Sequence, residues 1–211
     1  MTNRLMIKIC GLTREEDVDW IAKTAVWGIG FVLWEKSSRF VSWEQLARFI
    51  HVVKQNNSRV KTVGVFVNPK RSQVLQGLDC GLSTIQFHGE ESVEFCDSFN
   101  CDYIKVARPQ NIEDIEVLGA YEGASYFLID AFAHNQYGGT GRKVQDHFYE
   151  SIKSLSKPTF IAGGISSDNV AAIVRKLNPD GIDLSSGVES QPGIKSKEDI
   201  TNLFGVLKNL L

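Results

Sequence analysis

Eight short apolar runs, each followed by a polar or amphipathic stretch, recur along this chain, and no other feature limits its fold as much. The runs lie at 5–9 (LMIKI), 28–33 (GIGFVL), 61–67 (KTVGVFV), 84–87 (TIQF), 103–107 (YIKVA), 126–130 (YFLID), 159–163 (TFIAG) and 181–186 (GIDLSS). They are rich in Val, Ile and Phe and are apolar continuously rather than alternately, as parallel strands covered on both faces are. Helical starts fall between them. Thr13 with Glu16 three residues on reads as a capping box opening a helix to Ala25. Ser42 opens a second helix to about Gln55, and Asn68-Pro69 a third with Pro at its first position. Glu90, Ser167-Asp168 and Ser196 open others, and 111–118 is short for a full helix.

Eight βα units in 211 residues predict an α/β chain folded as one compact (β/α)8 barrel domain over 1–211. An open doubly wound sheet is the alternative, but it would not need eight strands, and no G-x-G-x-x-G follows the first run. In either fold the chemistry belongs to the loops after the strands, so polar residues that follow an apolar run become candidates.

Composition narrows the function. The formal net charge is −2, too balanced for a surface that tracks nucleic-acid phosphates. No run reaches the ~18–20 apolar residues of a membrane span. The first ten residues carry no secretory signal, so a cytoplasmic enzyme is expected. Cys10, Cys80, Cys96 and Cys101 show neither C-x-x-C nor zinc-ligand spacing and read as reduced thiols, the last three as small buried hydrophobes.

The strand ends supply the candidates. Cys10 closes the first run, where it is either a thiolate nucleophile or base, or a packed thiol. Lys36, Ser37, Ser38 and Arg39 follow the second run, as an anion-binding loop or a solvated one. His88 follows the fourth, as an acid, base or donor, or as a cap. Asp130 closes the sixth before Ala131-Phe132, a setting for a general acid or for a loop-fixing carboxylate. Gly138 to Lys143 (GGTGRK) reads as a lid. Gly163-Gly164 after the seventh run and Ser185-Ser186-Gly187 after the eighth would bring backbone N–H groups to an anion, and loops seven and eight of a barrel commonly hold phosphate. A phosphorylated small molecule facing acid–base residues follows, compatible with isomerase, epimerase or lyase chemistry.

The segments KICGLT (8–13), KSSRFV (36–41), VGVFVN (63–68), QFHGEES (86–92), LIDA (128–131), GGTG (138–141), AGGI (162–165) and DLSSGVE (183–189) occur in that order. Together they resemble the phosphoribosylanthranilate isomerase family of tryptophan biosynthesis over essentially the whole chain. The resemblance implies a TIM barrel of the ribulose-phosphate-binding type. It implies an Amadori rearrangement of N-(5-phosphoribosyl)anthranilate to 1-(2-carboxyphenylamino)-1-deoxyribulose 5-phosphate, without cofactor or metal. Cys10 is then the general base and Asp130 the general acid. Arg39 binds the anthranilate carboxylate and Asp183 lies by the anthranilate amine. His88 lines the substrate site, and Gly164, Ser185, Ser186 and Gly187 hold phosphate. The family includes monomers and dimers. Loop two departs from the family pattern in lacking both of its prolines. Two other readings stay open on the residues: a related barrel lyase or synthase centred on Lys8 or Lys105, and a non-catalytic phosphoribosyl-ligand binder.

Overall fold

In the computed structural model, which describes residues 5–130 and 149–210, eight parallel strands close into a barrel in chain order. They are β1 (Met6–Cys10), β2 (Gly28–Val32), β3 (Lys61–Phe66), β4 (Thr84–Phe87), β5 (Tyr103–Ala107), β6 (Tyr126–Asp130), β7 (Thr159–Ala162) and β8 (Gly181–Leu184). β8 pairs back onto β1, with Lys8 beside Asp183. All eight apolar runs are therefore strands, and the barrel, not the open sheet, is the fold.

The register carries one face of the sheet around the barrel: Cys10 beside Gly30, Gly30 beside Val63, Gln86 beside Ile104, Val106 beside Leu128, and Leu128 beside Phe160. Val63, Ile104, Val106, Leu128, Phe160 and Ala162 form an apolar cluster on that inner face. Trp27, Tyr126 and Phe160 stack edge-to-face or tilted beneath it, with ring centroids 5.0 to 5.8 Å apart. The intervening residues, such as Ile7, Ile9, Ile29, Phe31 and Phe127, belong to the larger core beneath the helices. Each such side chain contributes roughly 1.5–3 kcal/mol on burial. The N-terminal end of the barrel is thus closed by aromatic rings, while the polar inner residues gather at the C-terminal end.

Helices cover the barrel where the sequence opens them, with informative exceptions. Ser42 caps Trp43–Asn56 through a full capping box with Gln45, and Ser196 caps Lys197–Lys208. The first helix is shorter than expected, Glu15–Ala22, and Thr13 does not cap it. A small antiparallel hairpin, β9 (Glu189–Gln191) and β10 (Ile194–Lys195), follows β8 and presents the Gly193 carbonyl, to which Thr13 Oγ1 donates at 2.7 Å. The third helix begins at Arg71, so Pro69 is not its first residue. Asn68 instead sits in the left-handed region (φ 47°), its N–H donating to Glu91 and its Oδ1 accepting from the Glu90 N–H, which ties loop three to loop four. The helix expected from Glu90 starts at Val93 with Ser92 as its cap, and that expected from Ser167-Asp168 runs Val170–Leu177 after Asn169. The short 111–118 stretch is one helical turn, Glu113–Glu116, and then a 3₁₀ turn. Among the described residues no helix is long and apolar enough to cross a membrane.

Candidate active site

The inner face of β1 turns two reactive side chains into the barrel mouth. Lys8 is fully buried and donates to both oxygens of Asp183, at 2.9 and 3.0 Å. Cys10, one pleat further on, is also buried. Gly30 on β2 makes room for both. A Cβ there would stand 2.7 Å from Cys10 Sγ and 3.1 Å from Lys8 Nζ, so thiol and ammonium crowd one small volume. Burial raises the Cys10 pKa above the ordinary thiol value; the Lys8 ammonium opposes this and the Asp183 carboxylate adds to it. Burial also works against the charge on Lys8, but Asp183 and Cys10 together outweigh it and hold the ammonium above its ordinary value.

β4 and β6 supply the facing pair. His88 follows β4 and Asp130 ends β6, with Nε2 and Oδ2 3.7 Å apart and both side chains about one-fifth exposed. The Asp130 carboxylate thus faces an imidazole from across the mouth as well as its own apolar strand. His88 does not cap a helix. Its Nδ1 lies 3.2 Å from the amide Nε2 of the buried Gln86, and its carbonyl accepts from Arg108. The loop beneath it is pinned by Glu91, whose carboxylate accepts from the Asn68 and Gly89 N–H groups and pairs with Lys105 at 2.8 Å.

Arg39, after β2, reaches back over Gly11, which holds φ 77° at the end of β1. A Cβ on Gly11 would lie 2.5 Å from the Arg39 Cδ and 3.2 Å from Ser185 Oγ, so these three loops meet with only backbone between them. The Arg39 guanidinium forms a bidentate pair with Glu189, Nε to Oε1 at 2.9 Å and Nη2 to Oε2 at 2.6 Å. Glu189 also accepts from the buried Lys195 at 2.6 Å, and Lys195 donates to the Ser185 carbonyl at 3.3 Å. Burial works against the Glu189 carboxylate, but Arg39 and Lys195 together hold its pKa below the ordinary range.

Loops seven and eight close the same end. Gly163 and Gly164 take φ 97° and 62°, a pair of left-handed residues after β7 that suits only glycine without strain. Gly187 packs against the Ile165 carbonyl so closely that a Cβ would overlap it. Ser185 precedes the 3₁₀ turn Ser186–Val188 that carries Gly187. Two glycine-lined loops from adjacent strands therefore come into backbone contact, an arrangement in which N–H groups can converge on an anion.

The structure brings Cys10, Asp183, His88, Asp130, Arg39, Gly164, Ser185, Ser186 and Gly187 to one end of the barrel, as the strand-end rule requires. The stretch 138–143, expected to be a lid, and the Ala131-Phe132 pair lie outside the described residues. Asp183 sits under the thiol, paired with Lys8. Glu189, Lys195 and Gln86 join the site without being strand-end candidates: Glu189 lies in DLSSGVE and Gln86 in QFHGEES, whereas Lys195 carries no sequence signal, because only the hairpin after β8 brings it inward.

The sequence pattern of the family described as N-(5′-phosphoribosyl)anthranilate (PRA) isomerase matches residues 7–206. A curated N-(5′-phosphoribosyl)anthranilate isomerase of Nitrosomonas eutropha is 39% identical over 200 residues, 94% of each chain. Among solved structures, a phosphoribosyl anthranilate isomerase in complex with reduced 1-(o-carboxyphenylamino)-1-deoxyribulose 5-phosphate is similar, with TM-score 0.81, 27% identity, and 98% of this chain and 100% of that one covered. The enzyme of Thermus thermophilus matches with TM-score 0.81, 28% identity and the same coverage.

Proposed function

The chain belongs to the N-(5′-phosphoribosyl)anthranilate isomerase family, and from that premise we propose how its barrel mouth divides the work of the Amadori rearrangement. The activity is isomerisation of N-(5′-phosphoribosyl)anthranilate in tryptophan biosynthesis. In the proposed division Asp130, protonated, gives its proton to the ribose ring oxygen as the C1–O bond breaks. The anilino nitrogen lone pair forms the C1=N bond of a Schiff base. Cys10, as thiolate, then removes the proton from C2, and those electrons form the C1=C2 double bond of an enaminol. Return of a proton to C1 and loss of the hydroxyl proton give the ketose.

The observation that carries this reading is the placement of a buried thiol beside the Lys8 ammonium on β1 while a carboxyl closes β6 at the same end of the barrel. An acid and a base on different strands can address different atoms of one substrate without moving it. His88, 3.7 Å from Asp130, lines the substrate site beside the acid. The loops of Gly164, Ser185, Ser186 and Gly187 take the phosphate, and Arg39 takes the anthranilate carboxylate. The phosphate contact lies away from the reacting atoms, the carboxylate contact holds the anthranilate ring beside its reacting nitrogen, and both supply orientation. A cytoplasmic location fits reduced cysteines and a small soluble substrate.

Cys10→Ala and Asp130→Asn test the assignment. Each folds, by near-ultraviolet circular dichroism, and each lowers kcat by at least about 10²–10⁴-fold. Substrate made in situ is followed by loss of its fluorescence. Near-full activity in Cys10→Ala would remove the base from the scheme.

A further inference from the structure

Glu189 belongs to none of the roles above, yet its carboxylate is heavily engaged at the barrel mouth. Its side chain is 3% exposed, and it accepts three hydrogen bonds from Arg39 and one from Lys195, itself wholly buried. It sits at the start of β9, directly after the turn that carries Ser186 and Gly187. The one carboxylate therefore joins the loop after β2 to the loop after β8.

The guanidinium fork has two usable edges. Glu189 takes the edge made by Nε and Nη2. The edge made by Nη1 and the second Nη2 hydrogen is of the width that binds another carboxylate with two parallel hydrogen bonds. Arg39, at 23% exposure, is the member of the cluster that reaches solvent. Charge points the same way: Arg39 and Lys195 carry two positive charges against one negative on Glu189, so the cluster keeps one positive charge for an incoming anion.

The geometry points to Glu189 as a positioning residue that holds Arg39 edge-on to the anthranilate carboxylate and fixes its distance from the phosphate loop. This rests on the assignment of Arg39 to that carboxylate. Lys195 completes the device by anchoring Glu189 and donating to the Ser185 carbonyl, so that the two anion sites share one rigid frame. Without Glu189 the arginine keeps its charge but loses its fixed edge.

The test compares the dissociation constants of two ligands, the reduced 1-(o-carboxyphenylamino)-1-deoxyribulose 5-phosphate and its phenylamino counterpart lacking the carboxyl group. In the wild type the carboxylated ligand binds more tightly by at least about tenfold, as expected for a bidentate charged contact. Glu189→Gln, close to isosteric, brings that ratio to within about threefold while the phenylamino ligand keeps its affinity. An unchanged ratio overturns the inference, and so does equal weakening of both ligands, which would mean that Glu189 acts through the phosphate loop or the fold. Should Glu189→Gln fail to fold, Glu189→Asp, which keeps the charge but shortens the reach, carries the same comparison: a smaller ratio supports the role and an unchanged one overturns it. Arg39→Ala separates the two claims. If it preserves the ratio, the arginine assignment itself fails. If it abolishes the ratio while Glu189→Gln preserves it, only the positioning role fails.

Discussion

Two lysines of the barrel strands, Lys8 on β1 and Lys105 on β5, are each buried against a carboxylate, and almost everything that distinguishes the two pairs follows from which face of its strand each lysine occupies. Lys8 pairs with Asp183 at 2.9 Å and Lys105 with Glu91 at 2.8 Å, and both lysines are at most 5% exposed. Lys8 points inward, and its neighbours in register are Gly28 and Asp183. Lys105 stands beside Phe87 and Phe127, both members of the core under the helices, so it points outward. Its remaining contacts are the Gly89 carbonyl at 2.9 Å and the Tyr121 ring at 5.1 Å. Glu91 in turn accepts from the Asn68 and Gly89 N–H groups. That outer pair is saturated by backbone and serves to hold the loop from which His88 projects. The inner pair shares its space with a thiol. Similar burial and distance thus yield scaffolding in one case and the electrostatics around the proposed base in the other. Of the two lysines that a lyase or synthase could have used, Lys105 is turned away from the barrel interior and Lys8 is committed to Asp183.

Removing each lysine sharpens the contrast. Lys8→Met lowers kcat/KM by at least about tenfold, because it deletes the positive charge that favours the Cys10 thiolate. Lys105→Met leaves Glu91 buried without its counter-charge and costs about 3–5 kcal/mol in urea unfolding. The turnover of each folded molecule then stays within about threefold of wild type. Both variants lose stability, so the deciding quantity is activity per folded enzyme. A Lys105→Met protein of wild-type stability and poor turnover would break the distinction drawn here.

How much of this could be read beforehand depended on whether a residue's environment was local. The strands were legible because each is a continuous apolar run, and the strand-end rule then placed Cys10, His88 and Asp130 at one end of the barrel, whereas Asp183, inside the eighth run, was marked by the family resemblance alone. Caps were less legible. Ser42 met its partner three residues on, whereas Thr13 was drawn away by Gly193, 180 residues distant in sequence. The Glu189–Lys195 device was hidden for the same reason. A two-stranded hairpin brings Lys195 under Glu189, and nothing in ESQPGIK announces that an outer loop will send two charged side chains inward. The pairing of Lys8 with Asp183 requires the barrel to close, since the two residues lie on the first and last strands.

The smallest effect separates the two members of the inner pair. Only a thiolate reacts with iodoacetamide, so the rate of Cys10 alkylation, read on its peptide by mass spectrometry, reports its titration in the free enzyme. Burial places the wild-type midpoint above the ordinary thiol value. Burial also pushes Cys96 up to about 12 and Cys101 up to about 11. Lys8 lowers the Cys10 pKa and Asp183 raises it, so substitutions of these two partners have opposite signs. Lys8→Met moves the midpoint up, and Asp183→Asn moves it down by leaving the ammonium with the thiolate as its remaining counter-charge. Each shift is about one unit, worth about 1.4 kcal/mol. In the wild type the same titration makes kcat/KM rise with pH on the alkaline side, because the base is the deprotonated form. Midpoints that move in the same direction in both variants would mean that general loosening of the site, rather than the two charges, sets the reactivity of Cys10.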